Sequence, residues 1–325
     1  MNAIDRRAFL AGSVAGAAAF AATQIDQAHA AAPVANKPGP AFYRFKLGAY
    51  ELTALYDGIW NRPLDEKFVR NAAFADVQKA LADNFLPIDR LPLPFTAILV
   101  NTGSKLVLID TGTAGQMSPT AGSMLDNLAA AGIDPKAIDT IVISHFHPDH
   151  INGIKTKDNT LVFPNAEINV PAPEWAYWME QVTPSTVPEA AKGVLLNAQR
   201  IFQSIAKDVK RFEASQEVAP GITSIPAYGH TPGHVAYAVA SGNASMLVLC
   251  DTTNHPWLFV RNPEWQPIFD MDGPMAVDFR KRMLDRAAAD RMLVQGYHFP
   301  FPATGHIAKR GAGYDFVPVQ WQPVL

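Results

Sequence analysis

The chain has 325 residues, of which 48% are hydrophobic and 18% charged, a composition typical of a globular protein and unlike that of a disordered one. Its formal net charge of −3 and its lack of a polybasic run argue against binding to nucleic acid or to an anionic membrane surface. The single cysteine, Cys250, excludes an intramolecular disulfide and a cysteine-rich zinc site, so a metal would have to be bound by His, Asp or Glu.

The N-terminus has the pattern of an export signal. Arg6 and Arg7 precede an Ala- and Gly-rich apolar stretch, and Ala28-His29-Ala30 is a small-x-small cleavage site. We therefore predict that residues 1–30 are a signal peptide recognised by the twin-arginine export machinery, and that the mature protein is periplasmic or secreted. A stable membrane anchor is disfavoured because the apolar stretch is shorter than the roughly 20 residues needed to span a bilayer.

The remaining chain is predicted to form a flexible lead-in, residues 31–42, and a single domain, residues 43–325. Two β-hairpins are predicted at the start of this domain, formed by residues 43–47 with 51–56 and by residues 95–100 with 105–109. A helix over residues 124–131 should end before Gly132. A buried strand over residues 140–143 then leads directly to His145.

The second half of the domain continues the same pattern. Its predicted strands are residues 166–170, 223–226, 235–240, 246–250 and 292–294, and its predicted helices are residues 190–207 and 274–289. Strands thus come in runs, with helices between the runs. This order favours sheets packed on each other with helices outside over a strictly alternating parallel sheet.

A histidine-rich motif follows the strand over residues 140–143. Three histidines and an aspartate lie within the six residues His145-Phe146-His147-Pro148-Asp149-His150. In a turn, His145 and His147 can face one metal ion while Asp149 and His150 face another. Three imidazoles and a carboxylate suit Zn²⁺, although Mn²⁺, Fe²⁺ or Co²⁺ are chemically acceptable.

This HxHxDH pattern resembles the signature of the metallo-β-lactamase superfamily, and the later motifs follow in that family's order over residues 43–318. The resemblance implies an α/β fold, the αββα sandwich, in which two β-sheets pack face to face with helices outside. It also implies two divalent metal ions per chain, with Zn²⁺ favoured.

The resemblance assigns roles to individual residues of this chain. The implied metal ligands are His145, His147, His234, Asp149, His150, Asp251 and His298, and Asp149 and Asp251 are also implied to act in catalysis. Asp110, His230 and His306 are expected to support the ligands from outside. In the motif from Gly229 to His234, the last histidine is taken as the ligand.

Within the superfamily, the chain most resembles methyl parathion hydrolase and related lactonases. The similar stretches are residues 101–108, 164–166 and 299–319. The sequence departs from that group at Met117, where the group has an aromatic residue, and over residues 252–267. Both departures are expected to lie near the bound substrate, so the resemblance does not determine which substrate the protein acts on.

Aromatic side chains near the metal motifs predict a mainly apolar substrate pocket, in which about half of these aromatics are expected to be core. The predicted pocket residues are Met117, Phe146, Trp175, Trp178, His255 and Trp257. The ligand motifs have no Arg or Lys cluster beside them, which argues against polyanionic substrates. The predicted substrate is a small apolar ester, lactone or phosphotriester, and a homodimer is left open.

Two metal ions sharing a water can make hydroxide available at neutral pH. We therefore predict a hydrolase that opens lactones or cleaves aryl esters, with phosphotriester hydrolysis as the alternative. Two other classes stay open: a metal-dependent redox enzyme and a non-catalytic metal-binding protein.

Overall fold

The computed structural model describes residues 35–322 of the chain. The predicted signal peptide and the first part of the predicted lead-in lie outside the described residues. Residues 35–41 form no regular element, and the first strand begins at Phe42. Among the described residues, none of the helices is both long and apolar enough to cross a membrane.

Two mixed sheets of seven strands form the framework, and in both the strands lie in chain order. The first sheet contains β1 (Phe42–Leu47), β2 (Tyr50–Pro63), β3 (Arg90–Asn101), β4 (Leu106–Ile109), β5 (Thr140–Val142), β6 (Glu167–Pro171) and β7 (Val209–Phe212). The second contains β8 (Glu217–Ala219), β9 (Ile222–Pro226), β10 (Val235–Ser241), β11 (Ala244–Cys250), β12 (Leu293–Gly296), β13 (Thr304–Arg310) and β14 (Gly313–Pro318). Strands β4 to β7 pair in parallel, as do β11 and β12, and the other neighbours are antiparallel.

The helices lie between the strands in sequence. They are α1 (Phe74–Ala82), α2 (Met124–Ala130), α3 (Pro148–Ile151), α4 (Ala172–Trp175), α5 (Lys192–Phe202) and α6 (Gly273–Ala289). Single 3₁₀ turns occur at Pro135–Ala137, Asn152–Ile154, Glu189–Ala191 and Gln203–Ile205, and π-helical turns at Ala176–Gln181 and Pro256–Val260. The helix predicted over residues 190–207 is therefore shorter, because 3₁₀ turns replace α-helix at both of its ends.

The central strands β3 and β11 bury both of their faces, which explains their largely apolar sequences. Successive side chains of a strand point to opposite faces. In β3, Leu99 packs with helices α2 and α5, whereas Val100 packs between the two sheets. In β11, Val248 lies between the sheets and Leu249 packs against α6. This layering of helices, two sheets and helices confirms the predicted αββα sandwich.

The topology brings separate segments to one edge of the sandwich. Parallel strands have their carboxyl ends at the same edge of a sheet, so the chain leaves β4 and β5 on one side, and β11 and β12 likewise. Asp110 follows β4, His145 follows β5, Asp251 follows β11 and His298 follows β12. In this fold, these four candidate site residues therefore lie together at the ends of strands.

Candidate metal centre

The histidine motif is a tight turn between β5 and α3. His145 and His150 are fully buried, while His147 precedes α3 and is partly exposed. Nε2 of His145 lies 2.8 Å from Nδ1 of His147. The outer nitrogen of His145, Nδ1, lies 3.0 Å from the Ser144 hydroxyl. The inner nitrogens of two imidazoles therefore converge, as in a metal site.

Asp110 braces this turn from the end of β4. Its Oδ1 accepts a hydrogen bond from the Ser144 amide, and its Oδ2 accepts one from the Ser144 hydroxyl, each at 2.8 Å. Oδ2 also lies 2.8 Å from Nδ1 of His150. A carboxylate on the outer nitrogen of a histidine fixes the ring and leaves Nε2 as the ligand atom. Asp110 thus contacts the ligand turn at Ser144 and His150.

Glu174 ties this turn to the segment that follows β9, and sequence reasoning missed it. One of its carboxylate oxygens accepts hydrogen bonds from the Phe146 amide (3.0 Å) and the Trp178 indole (2.7 Å). The other accepts from the Thr231 hydroxyl (2.8 Å) and the Gly233 amide (2.9 Å). Four donors compensate for the burial of this carboxylate. Glu174 precedes a π-helical turn and has no motif around it, so no sequence signal marked it.

The structure corrects the roles of the two histidines between Gly229 and His234. Nε2 of His230 lies 3.0 Å from Nδ1 of His147 and 3.3 Å from Oδ2 of Asp251. His234 instead accepts a hydrogen bond from the Asp251 amide at its Nε2 (3.1 Å), while its Nδ1 bonds to the Ala227 carbonyl. Both ring nitrogens of His234 are thus occupied by backbone groups. The geometry therefore brings His230, and not the predicted His234, to the possible ligand atoms of His147 and Asp251.

Asp251 and His298 complete the arrangement from the second sheet. Oδ2 of Asp251 lies 3.0 Å from Nε2 of His298, and Oδ1 lies 3.3 Å from Nε2 of His150. Nε2 of His298 is also 3.5 Å from Asp149, and its Nδ1 bonds to the Pro94 carbonyl. Asp251 therefore contacts residues on both sides of the site, as a bridging carboxylate must.

These side chains form two neighbouring clusters. The first cluster is His145, His147, His230 and Asp251; the second cluster is Asp149, His150 and His298. In each, one potential ligand atom per residue lies within 4.8 Å of the others. Within residues 35–322, Nε2 of His150 and Oδ1 of Asp251 are buried without a hydrogen-bond partner, which is costly unless something else binds them. The donor set and these two atoms fit a pair of divalent ions.

The electrostatics of the site also suit cations. Burial lowers the pKa of His147 to about 3, and the neighbouring His230 adds to this effect, so His147 is neutral and can donate a lone pair. Burial alone would raise the pKa of Asp251, but His298 and His150 hold it well below its usual range. Asp251 is therefore an ionised carboxylate at neutral pH.

A cavity of about 580 Å³ opens above the two clusters. Of the predicted pocket residues, Met117 and Trp178 line it, and Met117 is 37% exposed. Its other walls are mainly apolar, and they include Trp60, Leu93, Phe95, Pro188, Ala190, Ala191, Val194, Ile268, Phe269 and Met271. Asn254 also lines it, next to the clusters.

Three of the predicted pocket residues are buried away from this cavity. Phe146 and Trp175 pack with Phe202 in the core below the first sheet. Phe146 lies between the candidate ligands His145 and His147 in sequence. Successive side chains point in opposite directions here, so the side chain of Phe146 faces the core and not the cavity. His255 is also buried and does not line the cavity; its Nδ1 has no partner, and burial lowers its pKa to about 3.

Two further predicted site residues, Trp257 and His306, lie away from the cavity and the clusters. Trp257 lines a separate hollow beside α1 and β14. His306 is exposed on β13 and bonds to the Met292 carbonyl, so it does not support the ligands.

The cavity also contains positive charge that sequence reasoning missed. Arg62 from β2 and Arg70 from the following loop both line it. Arg70 donates to the carbonyls of Asp270 and Ile268 at 2.6 and 2.7 Å. The ligand motifs have no Arg or Lys cluster beside them in sequence, but the fold brings these two arginines to the cavity from distant parts of the chain.

Comparisons with known proteins agree with this geometry. Residues 91–294 match the family model of the metallo-beta-lactamase superfamily. N-acyl homoserine lactonases from a Bacillus species and from Bacillus cereus are each 22% identical over 228 residues, which is 64% of this chain and 82% of the relative.

Two solved structures are similar over most of the chain. AidC, described as a dizinc quorum-quenching lactonase in complex with a product, is 28% identical with a TM-score of 0.81, covering 87% of this chain and 98% of its own. AbOPH, described as a hydrolase in the beta lactamase superfamily, is 26% identical with a TM-score of 0.82, covering 88% and 100%.

Proposed function

Because the chain belongs to the metallo-beta-lactamase superfamily and is a metal-dependent hydrolase, we propose that it opens lactones or cleaves aryl esters at a two-zinc centre. The observation that carries this proposal is the pair of His/Asp clusters joined by Asp251 at the floor of a largely apolar cavity. The lactonase activity of several relatives supports it.

The proposed ligands are His145, His147, His230 and Asp251 for one ion, and Asp149, His150, His298 and the shared Asp251 for the other. Two divalent ions bound there would activate water at neutral pH and polarise the bond to be cleaved. The carboxylates of Asp251 and Asp149 would offset part of the charge of the two cations. Asp110 and Glu174 hold the ligand turn rigid, so that the ligands need not reorganise during the reaction.

The walls of the cavity would orient the substrate. Apolar side chains on opposite sides, such as Trp178 and Phe269, would exclude water around an acyl chain or an aryl group. The amide of Asn254 is the polar group that could hold a substrate oxygen beside the clusters. These residues select the substrate class, since the metal chemistry itself can attack either a carbonyl carbon or a phosphorus centre.

Phosphotriester hydrolysis is the second candidate, and the aromatic walls favour it to some degree. Trp60, Phe95 and Phe269 offer flat surfaces to an aryl leaving group. Met117, however, lies in the cavity where the methyl parathion hydrolase group has an aromatic residue. Ring stacking contributes roughly 0.5 to 1.5 kcal/mol beyond area burial, so this exchange is worth up to about tenfold in rate.

The experiment is a comparison of kcat/KM for an N-acyl homoserine lactone, an aryl acetate and methyl parathion on zinc-loaded protein. We expect the lactone or the acetate to be the best substrate of the wild type. Met117→Phe should shift the preference toward methyl parathion by up to about tenfold. Met275→Phe, at an exposed methionine of α6 that does not line the cavity, is the matched control and should change nothing. If methyl parathion is the best wild-type substrate by more than about tenfold, the phosphotriester assignment is correct and ours is not.

A further inference from the structure

The segment that joins β11 to α6, residues 252–272, connects the metal clusters to the wall of the cavity. It begins directly after Asp251, and it contributes Asn254 and residues 268–271 to the cavity lining. The end of this segment is hydrogen-bonded to the turn that contains His230. The Met271 amide donates to the His230 carbonyl (3.1 Å), and the Asp272 amide donates to the Gly229 carbonyl (2.8 Å). A change in this segment would therefore reach both the ligands and the substrate.

Arg280 of α6 holds this segment at both ends, although it is 0% exposed. Its Nε donates to the Thr252 carbonyl (2.9 Å), one residue after Asp251. Its Nη1 donates to the carbonyls of Trp265 (2.7 Å) and Pro263 (3.2 Å). A lysine ammonium could not reach these acceptors at once, because only the planar guanidinium presents donors in a fixed fork.

The remaining guanidinium nitrogen of Arg280, Nη2, is connected through Asp270 to the candidate ligand His230. Nη2 of Arg280 donates to Oδ2 of Asp270 at 2.8 Å, and Oδ1 of Asp270 lies 3.0 Å from Nδ1 of His230. The Asp270 carboxylate is almost fully buried, so Arg280 supplies the opposite charge that it needs. With its Nδ1 proton on Asp270, His230 presents the lone pair of Nε2 to the first cluster.

We propose that Arg280 and Asp270 are positioning residues that set the geometry of the first cluster and couple it to the substrate-binding wall. Arg280 fixes Asp251 through the Thr252 backbone and fixes His230 through Asp270. This inference rests on the two-metal centre proposed above and adds a function for residues that contact no substrate-reactive atom.

Asp270→Asn separates this role from simple packing. The asparagine has nearly the shape of aspartate, but its oxygen is required by Arg280, so its amide NH₂ faces His230. That NH₂ would donate to Nδ1 of His230 and move the ring proton to Nε2, the atom that must bind the metal. The variant therefore weakens one site by changing a proton position and leaves the volume of the core unchanged.

The test is a titration of metal-stripped full-length protein with Zn²⁺ in competition with a chromophoric chelator. In Asp270→Asn one of the two zinc affinities should fall by about 10- to 100-fold while the other stays near its wild-type value. Arg280→Met should weaken the same site and also raise KM. Lys281→Met, which removes an exposed ion pair with Glu264 from the next residue of the same helix, is the control and should leave both affinities unchanged.

The outcomes are distinct. If both zinc affinities of Asp270→Asn stay within about threefold of wild type and only the unfolding temperature falls, the two residues merely pack and the proposal is wrong. If Arg280→Met does not fold, Asp270→Asn decides the question alone. Since the titration uses no substrate, a chain without lactonase activity would overturn the proposed function and leave this inference testable.

Discussion

The two clusters of the metal centre have similar ligand chemistry but different mechanical support. In the second cluster, His150 is held by Asp110 at the end of β4, and His298 by the Pro94 carbonyl of β3. Both supports belong to the first sheet. In the first cluster, His230 is held by Asp270, which lies in the long segment between β11 and α6. The second cluster is therefore anchored on a sheet, whereas His230 of the first cluster depends on a segment that also lines the cavity.

This difference has a functional consequence. A ligand supported by sheet residues keeps its position whatever occupies the cavity. A ligand supported by a segment that forms the cavity wall can respond when the wall shifts. We therefore expect changes in residues 252–272 to alter metal affinity and substrate affinity together, and changes around Asp110 to alter metal affinity alone.

The largest effect should come from removing Asp251, the residue that we propose binds both ions. Asp251→Ala takes one carboxylate from each ion, so elemental analysis should find less than two metal equivalents. Turnover should fall by about a thousandfold or more, because several kcal/mol of transition-state stabilisation depend on the paired ions. Asp290→Ala, an exposed aspartate at the end of α6, is the control. Full occupancy with normal turnover would remove Asp251 from the site.

A smaller effect concerns the stability of the metal-stripped protein as pH changes. Burial lowers the pKa of His230, but hydrogen bonds from Asp251 and Asp270 outweigh burial and raise it to about 9. Its unfolded value is about 6.5, so its contribution is complete below pH 6.5 and is lost as the pH rises through 9. Burial lowers the pKa of His147 and His234 to about 3, so their contributions are lost as the pH falls below about 6.5.

Thermal unfolding at several pH values checks this expectation. The stripped protein should be most stable near pH 6.5 and should lose several degrees toward pH 9. With zinc bound at Nε2, His230 would keep only its Nδ1 proton, on Asp270, throughout this pH range, so the decline above pH 6.5 should disappear. His230→Gln should make this decline in the stripped protein smaller. A part should remain, because burial lowers the pKa of His150 but Asp149, Asp251 and Asp110 outweigh burial and raise it well above its ordinary value. A stripped protein whose stability stays constant or rises between pH 6.5 and 9 would show that His230 is not protonated there.

The contrast between the clusters also explains what the sequence could predict. The turn from His145 to His150 is contiguous, so its spacing alone indicated a metal site. The layered fold followed from runs of strands separated by helices. Choosing between His230 and His234 was beyond the sequence, because both are histidines in one turn and only the backbone path decides which ring faces the clusters.

The sequence also did not identify residues that support the site from distant parts of the chain. Glu174, Asp270 and Arg280 carry no motif, and their roles depend on which strand or helix packs beside which. Phe146 and Trp175 were predicted to line the pocket because they lie near ligand motifs in the sequence, but their side chains point into the core. The twin-arginine signal, the periplasmic or secreted location and the homodimer stay predictions.

The position of His230 in the first cluster is tested most directly by comparing metal content in two variants of one motif. His230→Ala removes a proposed ligand of the first cluster, whereas His234→Ala removes a ring whose two nitrogens bond to backbone groups. Elemental analysis of each purified variant after loading with zinc should find close to one equivalent in His230→Ala and close to two in His234→Ala. Two equivalents in His230→Ala together with a loss in His234→Ala would contradict the account and restore the ligand order first predicted from the sequence.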